Sequence, residues 1–294
     1  MGISGLLVVD KPAGLTSHDV VARTRRVAST RRVGHTGTLD PMATGVLVLC
    51  LGRATRLIPY LEEAGGPEAK EYEARIRFGF ETTTDDALGE VRGDVVSRPA
   101  LTQDALRAGL ASFVGRIQQT PPAFSAKKIG GERAYALARR GTEVNLDPVS
   151  VEVGQAELLA LDGDTATVRF ACSRGTYIRA LARDLGRALG VGAHLTALRR
   201  TRSGRAGLEA AIPLDRMNAE SIASNLMPMA LILEAWPMVV VNEEGAQNLR
   251  LGRAINAGGN PTDLSGRVRV CDEARGLVAL ATAEGSRLQP FCVF

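Results

Sequence analysis

The order of its strand-like and helix-like stretches is the feature that most constrains how this chain can fold. Stretches of alternating or continuous apolar residues predict β-strands at residues 5–10, 46–51, 72–80, 151–161 and 165–172. Apolar residues at helical spacing predict helices at residues 102–114, 133–140 and 177–189. Strands and helices do not alternate regularly. The sequence therefore predicts an α+β fold with a mixed, largely antiparallel sheet rather than a doubly wound parallel one.

The pattern changes near Pro237. A helix-like stretch at residues 227–237 is followed by short strand-like runs at residues 238–241, 268–271, 277–281 and 289–294, with Gly and Pro between them. Such runs are typical of a small β-barrel. We therefore expect two domains, at residues 1–236 and 237–294, and expect that the second can be removed without loss of the chemistry of the first.

Composition narrows the class of protein. In 294 residues, 45% are hydrophobic and 23% charged, which is typical of a globular protein. No apolar run is long enough to cross a membrane, and the first residues lack the pattern of a signal peptide, so we expect a cytoplasmic protein. The four cysteines show no metal-ligand spacing, and we expect them to be reduced and buried.

The basic residues suggest a polyanionic partner. Of 36 basic residues only four are lysines, and the arginines cluster at residues 199–205, 139–140 and 31–32. The planar guanidinium suits phosphate because it donates paired hydrogen bonds. The formal charge of +4 is small, so the clustering carries this inference better than the total. An arginine-rich composition without functional meaning is the alternative.

The densest group of chemically useful residues is the segment GHTGTLDPMATG at residues 34–45, which leads directly into the apolar strand at residues 46–51. Its glycines and proline allow sharp turns and close approach to a ligand. Asp40 could therefore be a reactive carboxylate held by a rigid scaffold. Equally, Asp40-Pro41 could simply start a turn, and the residues alone leave both possibilities open.

Further segments, taken with this one and in this order, resemble the TruB family of bacterial tRNA pseudouridine-55 synthases. They are LVVDKPAGLTS at residues 7–17, KEY at 70–72, the stretch 79–89, QQTPPAFSAK at 118–127, CSRGTYIRALARDLG at 172–186 and GAHLTALRRTRSG at 192–204. The resemblance covers essentially the whole chain. It implies a pseudouridine synthase fold for residues 1–236 and a PUA-like RNA-binding domain at 237–294.

The resemblance implies roles for five residues. Asp40 is expected to be the catalytic carboxylate, Arg179 its ion-pair partner and Tyr177 a candidate to remove the C5 proton. Tyr72 is expected to stack on the extruded uracil, and His35 to occupy the space that the base leaves. For Arg179 the alternative is an exposed helix charge, for the tyrosines a place in the core, and for His35 a bond to nearby backbone.

Other matching positions are expected to contact the substrate. They are Lys11, Lys127, Leu198, Arg199 and Arg200. Residues 120–147, with two prolines and two adjacent lysines, resemble the family's thumb, a basic insertion that closes over the T-loop of tRNA.

The resemblance implies an isomerase that converts uridine 55 of tRNA to pseudouridine by flipping the base out. Because no atoms or electrons are imported, no cofactor and no metal are expected. The expected partner is the T-stem-loop of tRNA, bound by a monomer that needs no protein partner. Three alternatives are an RNA-folding protein without catalysis, a guide-RNA-dependent pseudouridine synthase and a metal-dependent hydrolase. The last lacks a ligand cluster in the sequence.

Overall fold

The computed structural model describes residues 3–63, 68–96, 101–125, 127–142, 144–256 and 264–294. Within these ranges the strands, numbered in chain order, are β1 (Gly5–Lys11), β2 (Val33–His35), β3 (Thr44–Leu51), β4 (Lys70–Phe78), β5 (Glu81–Thr82), β6 (Val91–Arg92), β7 (Gly115–Gln119), β8 (Lys128–Ile129), β9 (Glu132–Arg133), β10 (Val149–Asp162), β11 (Thr165–Cys172), β12 (Ala193–Ser203), β13 (Ala206–Gly207), β14 (Ile212–Pro213), β15 (Met238–Val241), β16 (Ile255–Asn256), β17 (Ser265–Asp272), β18 (Leu277–Glu284) and β19 (Arg287–Val293). The helices in the same ranges are α1 (Ser17–Val27), α2 (Ile58–Glu63), α3 (Gln103–Ala111), α4 (Ala134–Arg139), α5 (Ile178–Ala188), α6 (Ala219–Asn225) and α7 (Glu243–Arg250). None of these helices is long and apolar enough to span a membrane.

A ten-stranded sheet organises the first part of the chain. Eight strands follow the order β14-β1-β3-β12-β4-β11-β10-β7, while β13 pairs with β12 and β2 with β3. The pairs β1/β14 and β3/β12 are parallel, and the others in this sheet are antiparallel. The predicted mixed α+β sheet is therefore confirmed.

The two faces of this sheet pack against different partners. Side chains alternate along a strand, so Leu47, Leu49 and Leu51 of β3 join one core cluster, while Val46 and Val48 join another. The first cluster lies against α1, α3 and α5. The second includes residues of the C-terminal part of the chain. The strand that follows the Asp40 loop is thus covered on both faces.

The C-terminal part forms a separate, curled five-stranded sheet in the order β15-β17-β18-β19-β16. The predicted strands at residues 238–241, 268–271, 277–281 and 289–294 all lie in it. The helix α7 within this part was not predicted. The helix expected at residues 227–237 is wrong, because only a short 3-10 turn forms there, at Met229–Leu231.

Local capping signals define where α1 and α3 begin. Thr16 caps α1 and forms a reciprocal pair of hydrogen bonds with Asp19, as a capping box requires. Thr102 caps α3, and the helix ends at Ala111, three residues before the predicted end. Helix α5 begins after Tyr177 and is buried along most of its length. All four cysteines are free and buried, which confirms the expectation for them.

Candidate active site

A loop between β2 and β3 presents Asp40. The Asp40 carbonyl accepts a hydrogen bond from the Ala43 N–H at 3.0 Å, so Asp40 starts a turn while its carboxylate remains one-third exposed. Leu39, the residue before Asp40, is held by the buried hydroxyl of Ser17. That hydroxyl accepts from the Leu39 N–H at 2.9 Å and donates to the Leu39 carbonyl at 3.3 Å. The two possibilities that the sequence left open for Asp40 are therefore compatible.

Lys11 anchors the same loop from below. Its ammonium donates to the carbonyls of Pro12, Leu15 and Pro41 at 2.9, 2.6 and 3.3 Å, and the side chain is fully buried. Burial lowers the pKa of Lys11 to about 8, although the charge of Asp40 acts in the opposite direction. The structure thus places Lys11 in the interior beneath the loop, where it holds the backbone, and not on an exposed surface.

Arg179 holds the Asp40 carboxylate by a two-pronged ion pair. Its Nε lies 2.8 Å from Oδ2 and its Nη2 lies 3.1 Å from Oδ1. The Arg179 side chain is only 5% exposed, whereas that of Asp40 is 33% exposed. An exposed helix charge at Arg179 is therefore excluded. A paired fork of this kind fixes the orientation of a carboxylate as well as its charge.

The remaining donors of Arg179 are also occupied. Nη1 donates to the Thr84 carbonyl and Nη2 to the Phe124 carbonyl, both at 3.0 Å. The carboxylate of Asp86 lies 3.9 Å from Nη1. The guanidinium is therefore fixed by groups from three separate segments, and it cannot turn away from Asp40 without breaking several hydrogen bonds.

A second arginine one turn along α5 repeats this arrangement. Arg183 donates to Asp85, to Asp184 and to the Thr120 carbonyl, at 2.8, 2.8 and 2.9 Å. Burial raises the pKa of Asp85, and the charges of Arg183 and Arg179 oppose that rise. Residues four positions apart share a helix face, so the two arginines pin the same side of α5 to the loop at residues 84–86.

The two candidate tyrosines both lie within electrostatic reach of Asp40. Burial raises the pKa of Tyr177, with the Asp40 charge acting in the same direction and Ser125 and Arg179 against it. Burial also raises the pKa of Tyr72, which is 6% exposed. Both phenols are therefore protonated at neutral pH. The Tyr177 phenol therefore carries its proton and cannot act as a base in this state.

Arg200 lies opposite Tyr72 in the sheet, beneath the Asp40 loop. Its Nε donates to the Val46 carbonyl at 2.6 Å and its Nη2 to the Gly37 carbonyl at 3.2 Å. It is 1% exposed, so it does not belong to an exposed basic surface as its clustering in the sequence suggested. Leu198, also buried, belongs to the core cluster that includes Tyr72.

His35 stands at the start of the same loop. It is half-buried, its Nδ1 accepts from the Gly37 N–H at 3.3 Å, and its ring meets that of His18 edge-on at 5.7 Å. Burial lowers its pKa, and the nearby charges of Arg200 and Lys70 add to that effect. The ring is therefore neutral at pH 7, so a role at this position depends on shape and hydrogen bonding rather than on charge.

Arg199 and Lys127 are not among the groups that contact Asp40 in the described residues. Arg199 points to the other side of β12 and pairs with Asp10 at 2.8 and 3.2 Å, with a side chain 40% exposed. Lys127 is half-buried at the start of the thumb-like segment, where its carbonyl accepts from the Ala134 N–H at 2.7 Å.

Three residues that hold the site together carry no distinguishing signal in the sequence. Ser17 ties down the Asp40 loop, Asp86 approaches Arg179, and the fully buried Gln119 binds the backbone of Tyr177 through its side-chain amide. All three lie in segments that resembled the family. Only the three-dimensional contacts separate them from their neighbours.

Two solved structures share this fold over nearly the whole chain. A crystal structure of a Cbf5-Nop10-Gar1 complex contains a chain with a TM-score of 0.71 and 28% identity, covering 98% of this chain and 84% of that one. The structure of an H/ACA RNP bound to a substrate RNA containing 2′-deoxyuridine gives a TM-score of 0.71 and 26% identity, with 99% and 84% covered. The mixed sheet thus has the fold of the pseudouridine synthases.

Sequence relatives place the chain within that class. Residues 25–178 match the N-terminal domain of the TruB family pseudouridylate synthases, and residues 179–233 match a tRNA pseudouridylate synthase B C-terminal domain. A tRNA pseudouridine synthase B of Mycolicibacterium paratuberculosis is 46% identical over 299 residues, covering 100% of this chain and 98% of the relative. One of Thermobifida fusca is 46% identical over 301 residues, covering 99% and 98%. The chain belongs to the TruB family of pseudouridylate synthases and is an isomerase.

Proposed function

We propose that this protein converts uridine 55 in the T-loop of tRNA to pseudouridine, with Asp40 as the catalytic carboxylate. The observation that supports this most directly is the Asp40–Arg179 pair, in which a buried arginine orients a carboxylate that remains partly open to solvent. The names of the relatives support tRNA as the substrate. We further propose that the enzyme acts in the cytoplasm as a monomer, without a protein partner, cofactor or metal.

The reaction needs one carboxylate in a fixed position. The N1–C1′ bond of uridine breaks, the uracil turns, a C5–C1′ bond forms, and the proton of C5 is lost while N1 gains one. Asp40 can attack covalently or stabilise positive charge on the sugar, in the way that carboxylates act in glycosidases. Arg179 orients the Asp40 carboxylate in either case, through two hydrogen bonds.

The target uridine must leave the base stack to reach Asp40, because its glycosidic bond is otherwise enclosed in the folded loop. Tyr72 is the proposed stacking partner, and such a contact contributes about 1 to 3 kcal/mol, similar to the cost of flipping. Since Tyr72 is only 6% exposed, stacking requires its neighbours to move. The loop that carries His35 is the element that we expect to shift when RNA binds.

Tyr177 would remove the C5 proton only after losing its own. Its raised pKa means that the phenol must ionise when RNA binds, or that another group takes the proton. This part of the proposal is separate from the role of Asp40, and a pH profile of the Tyr177→Phe variant would test it.

The proposal is tested by single-turnover conversion of an unmodified tRNA transcript in the presence of EDTA. One pseudouridine should form at position 55, a transcript with cytidine there should yield none, and an isolated T-stem-loop should suffice as substrate. A modified uridine elsewhere would contradict the assignment of the position. Tight RNA binding without any conversion would instead favour an RNA-folding protein, and a requirement for added guide RNA would favour a guided enzyme.

A further inference from the structure

The side chain of Gln119 pairs with the backbone of Tyr177 in both directions. Its Nε2 donates to the Tyr177 carbonyl at 3.1 Å, and its Oε1 accepts from the Tyr177 N–H at 2.8 Å. Tyr177 is extended, with φ −99° and ψ 110°, so its N–H and C=O point to the same edge of the chain, as in a β-ladder. A primary amide presents an N–H donor beside its carbonyl acceptor, at the spacing needed to match them.

This contact lies at the point where α5 begins. Tyr177 occupies the N-cap position, but it makes no side-chain capping bond, and tyrosine is not a residue that favours that position. The local sequence therefore does little to define the first residue of the helix. The amide of Gln119, which is fully buried, supplies a partner for this junction from a strand 58 positions away in the chain.

The start of α5 determines where Arg179 points. Successive residues of an α-helix are rotated by about 100°, so a helix that begins one residue early or late turns Arg179 away from Asp40. Arg179 lies only two positions after Tyr177. Any displacement of the Tyr177 backbone would therefore move the Tyr177 phenol and shift Arg179 relative to Asp40 by a similar distance.

The chain after Gln119 makes further contacts with the same helix. The carbonyls of Thr120 and Phe124 accept from Arg183 and Arg179, at 2.9 and 3.0 Å. The buried Ser125 hydroxyl lies beside the phenol of Tyr177 and makes no regular hydrogen bond within the described residues. Residues 119–125 thus contact the start of α5 at several points. Within this segment, the amide of Gln119 both donates to and accepts from the backbone of Tyr177.

We propose that Gln119 is a positioning residue, which fixes the start of α5 and thereby places Arg179 and Tyr177 against Asp40. It acts through those residues and does not touch the RNA. The inference rests on the proposed roles of Asp40 and Arg179. It concerns the rate of the chemical step rather than the affinity for RNA.

The first test compares Gln119→Leu with Gln118→Leu. Gln118 is the neighbouring residue in β7 and is exposed, so it controls for loss of an amide in the same strand. Misplacement of catalytic groups by about 1 Å can cost on the order of a hundredfold, so we expect a tenfold to hundredfold lower single-turnover rate for Gln119→Leu. RNA affinity should stay within about threefold, because the phosphate contacts that supply most of it are unchanged. Gln118→Leu should match the wild type in both measurements.

The second test uses Gln119→Glu at several pH values. A neutral carboxylic acid can donate to the Tyr177 carbonyl and accept from its N–H, as the amide does, whereas the carboxylate only accepts and repels that carbonyl. Burial raises the pKa of such a carboxyl, so the acid form should be present at mildly acidic pH. The rate of this variant, divided by the wild-type rate at the same pH, should rise about tenfold or more between roughly pH 8 and pH 6. The division removes the titration of Asp85, Tyr177 and other groups common to both proteins.

The outcomes separate the inference from the proposed function. If wild-type protein forms no pseudouridine, the proposed function fails. If the wild type is active and Gln119→Leu, shown to be folded by near-UV circular dichroism, reacts as fast as Gln118→Leu, the positioning role is refuted. A folded Gln119→Glu variant without recovery at low pH refutes it as well. Should the Glu variant not fold at neutral pH, the Leu pair alone decides.

Discussion

Asp40 and Arg179 lie 139 positions apart in the chain, and yet their side chains meet through two hydrogen bonds of 2.8 and 3.1 Å. One comes from a glycine-rich loop before a central strand and the other from the first turn of a buried helix. The arginine is buried and the carboxylate is partly open. The carboxylate is therefore open to solvent on one side, and we propose that the substrate approaches from that side.

Replacing Asp40 by Asn should abolish catalysis while leaving RNA binding largely intact. Asn keeps the shape but removes the charge, and loss of a group that acts on the reacting atoms lowers rates by at least about a thousandfold. Affinity should change less than about tenfold, because it comes from phosphate contacts and stacking rather than from a carboxylate. Single-turnover conversion and filter binding on the same preparation would measure both.

Asp10→Asn is the matched control for that experiment. Asp10 also forms a two-pronged pair with an arginine, Arg199, but on the other side of β12. It should retain near-normal turnover. Near-normal conversion by Asp40→Asn would overturn the proposed mechanism, whereas loss of both folding and binding would show that Asp40 has a structural role.

The pH dependence of stability should reveal the buried Lys11. Its pKa is about 8 in the folded protein against an ordinary value of 10.5. Between these two pH values the unfolded chain keeps a proton on Lys11 that the folded protein has released. The free energy of unfolding therefore rises with pH over this range, and this gain is lost as the pH falls from about 10.5 to about 8. The limiting slope is about 1.4 kcal/mol per pH unit.

This pH dependence can be tested by urea unfolding of the wild type and of Lys11→Met at several pH values from about 7.5 to 10. That range covers the roughly two pH units over which Lys11 titrates. The difference in unfolding free energy should move in favour of the wild type as the pH rises. Other groups titrate equally in both proteins and cancel. A difference that is constant with pH would mean that Lys11 is not perturbed.

Gly45 should not tolerate a side chain. Its φ is +100°, and a Cβ there would lie 2.1 Å from the carbonyl oxygen of Arg200, the residue that it pairs with in β12. Gly14 also has a positive φ, +84°, but open space around it. Backbone strain of about 1 to 2 kcal/mol is common to both Ala variants, so any extra loss in Gly45→Ala reports the contact with Arg200. Thermal melting of the two variants would measure it, and equal melting temperatures would contradict this account.

Much of the fold could be predicted because several strands carry strong local signals. The apolar run of β3 and the alternation in β11 gave nearly correct bounds. Strand β12 was missed, because its arginines resembled a basic surface. This strand lies in the middle of the sheet and buries the guanidinium of Arg200. The guanidinium is tolerated there because it donates to the carbonyls of Gly37 in the Asp40 loop and Val46 in β3. Tertiary contacts of this kind leave no local signal.

The helix predicted at residues 227–237 failed for a related reason. Its apolar residues, including Met229, Ile232 and Trp236, pack against a shared core cluster in an irregular conformation. Burial of these side chains outweighed the local preference for a helix. The same limit applies to the site. Motifs pointed to Asp40 and Arg179, whereas the amide of Gln119 pairs with a backbone, and nothing in its own surroundings in the sequence marks it.

Removing the C-terminal sheet should destabilise the catalytic part, contrary to the independence that the sequence suggested. Side chains of β1 and β3, among them Leu6, Val8 and Val48, share a core cluster with Leu280 of that sheet and with Phe294, which directly follows its last strand. Each large apolar side chain that loses its cover costs up to about 1.5 to 3 kcal/mol. A domain is stable by only about 5 to 15 kcal/mol, so losing several such contacts is a large change.

A chain ending at residue 236 should therefore melt at a lower temperature or aggregate, in addition to binding tRNA more weakly. Full-length Leu280→Ala should show the same weakening of the shared cluster in a milder form, with a cost of roughly 2 to 5 kcal/mol and normal turnover below its melting temperature. Melting curves, together with turnover at saturating RNA, would distinguish loss of folding from loss of binding. If the shortened chain melted like the intact protein and turned over normally, the cluster would contribute nothing to the catalytic part, and the two sheets would be independent after all.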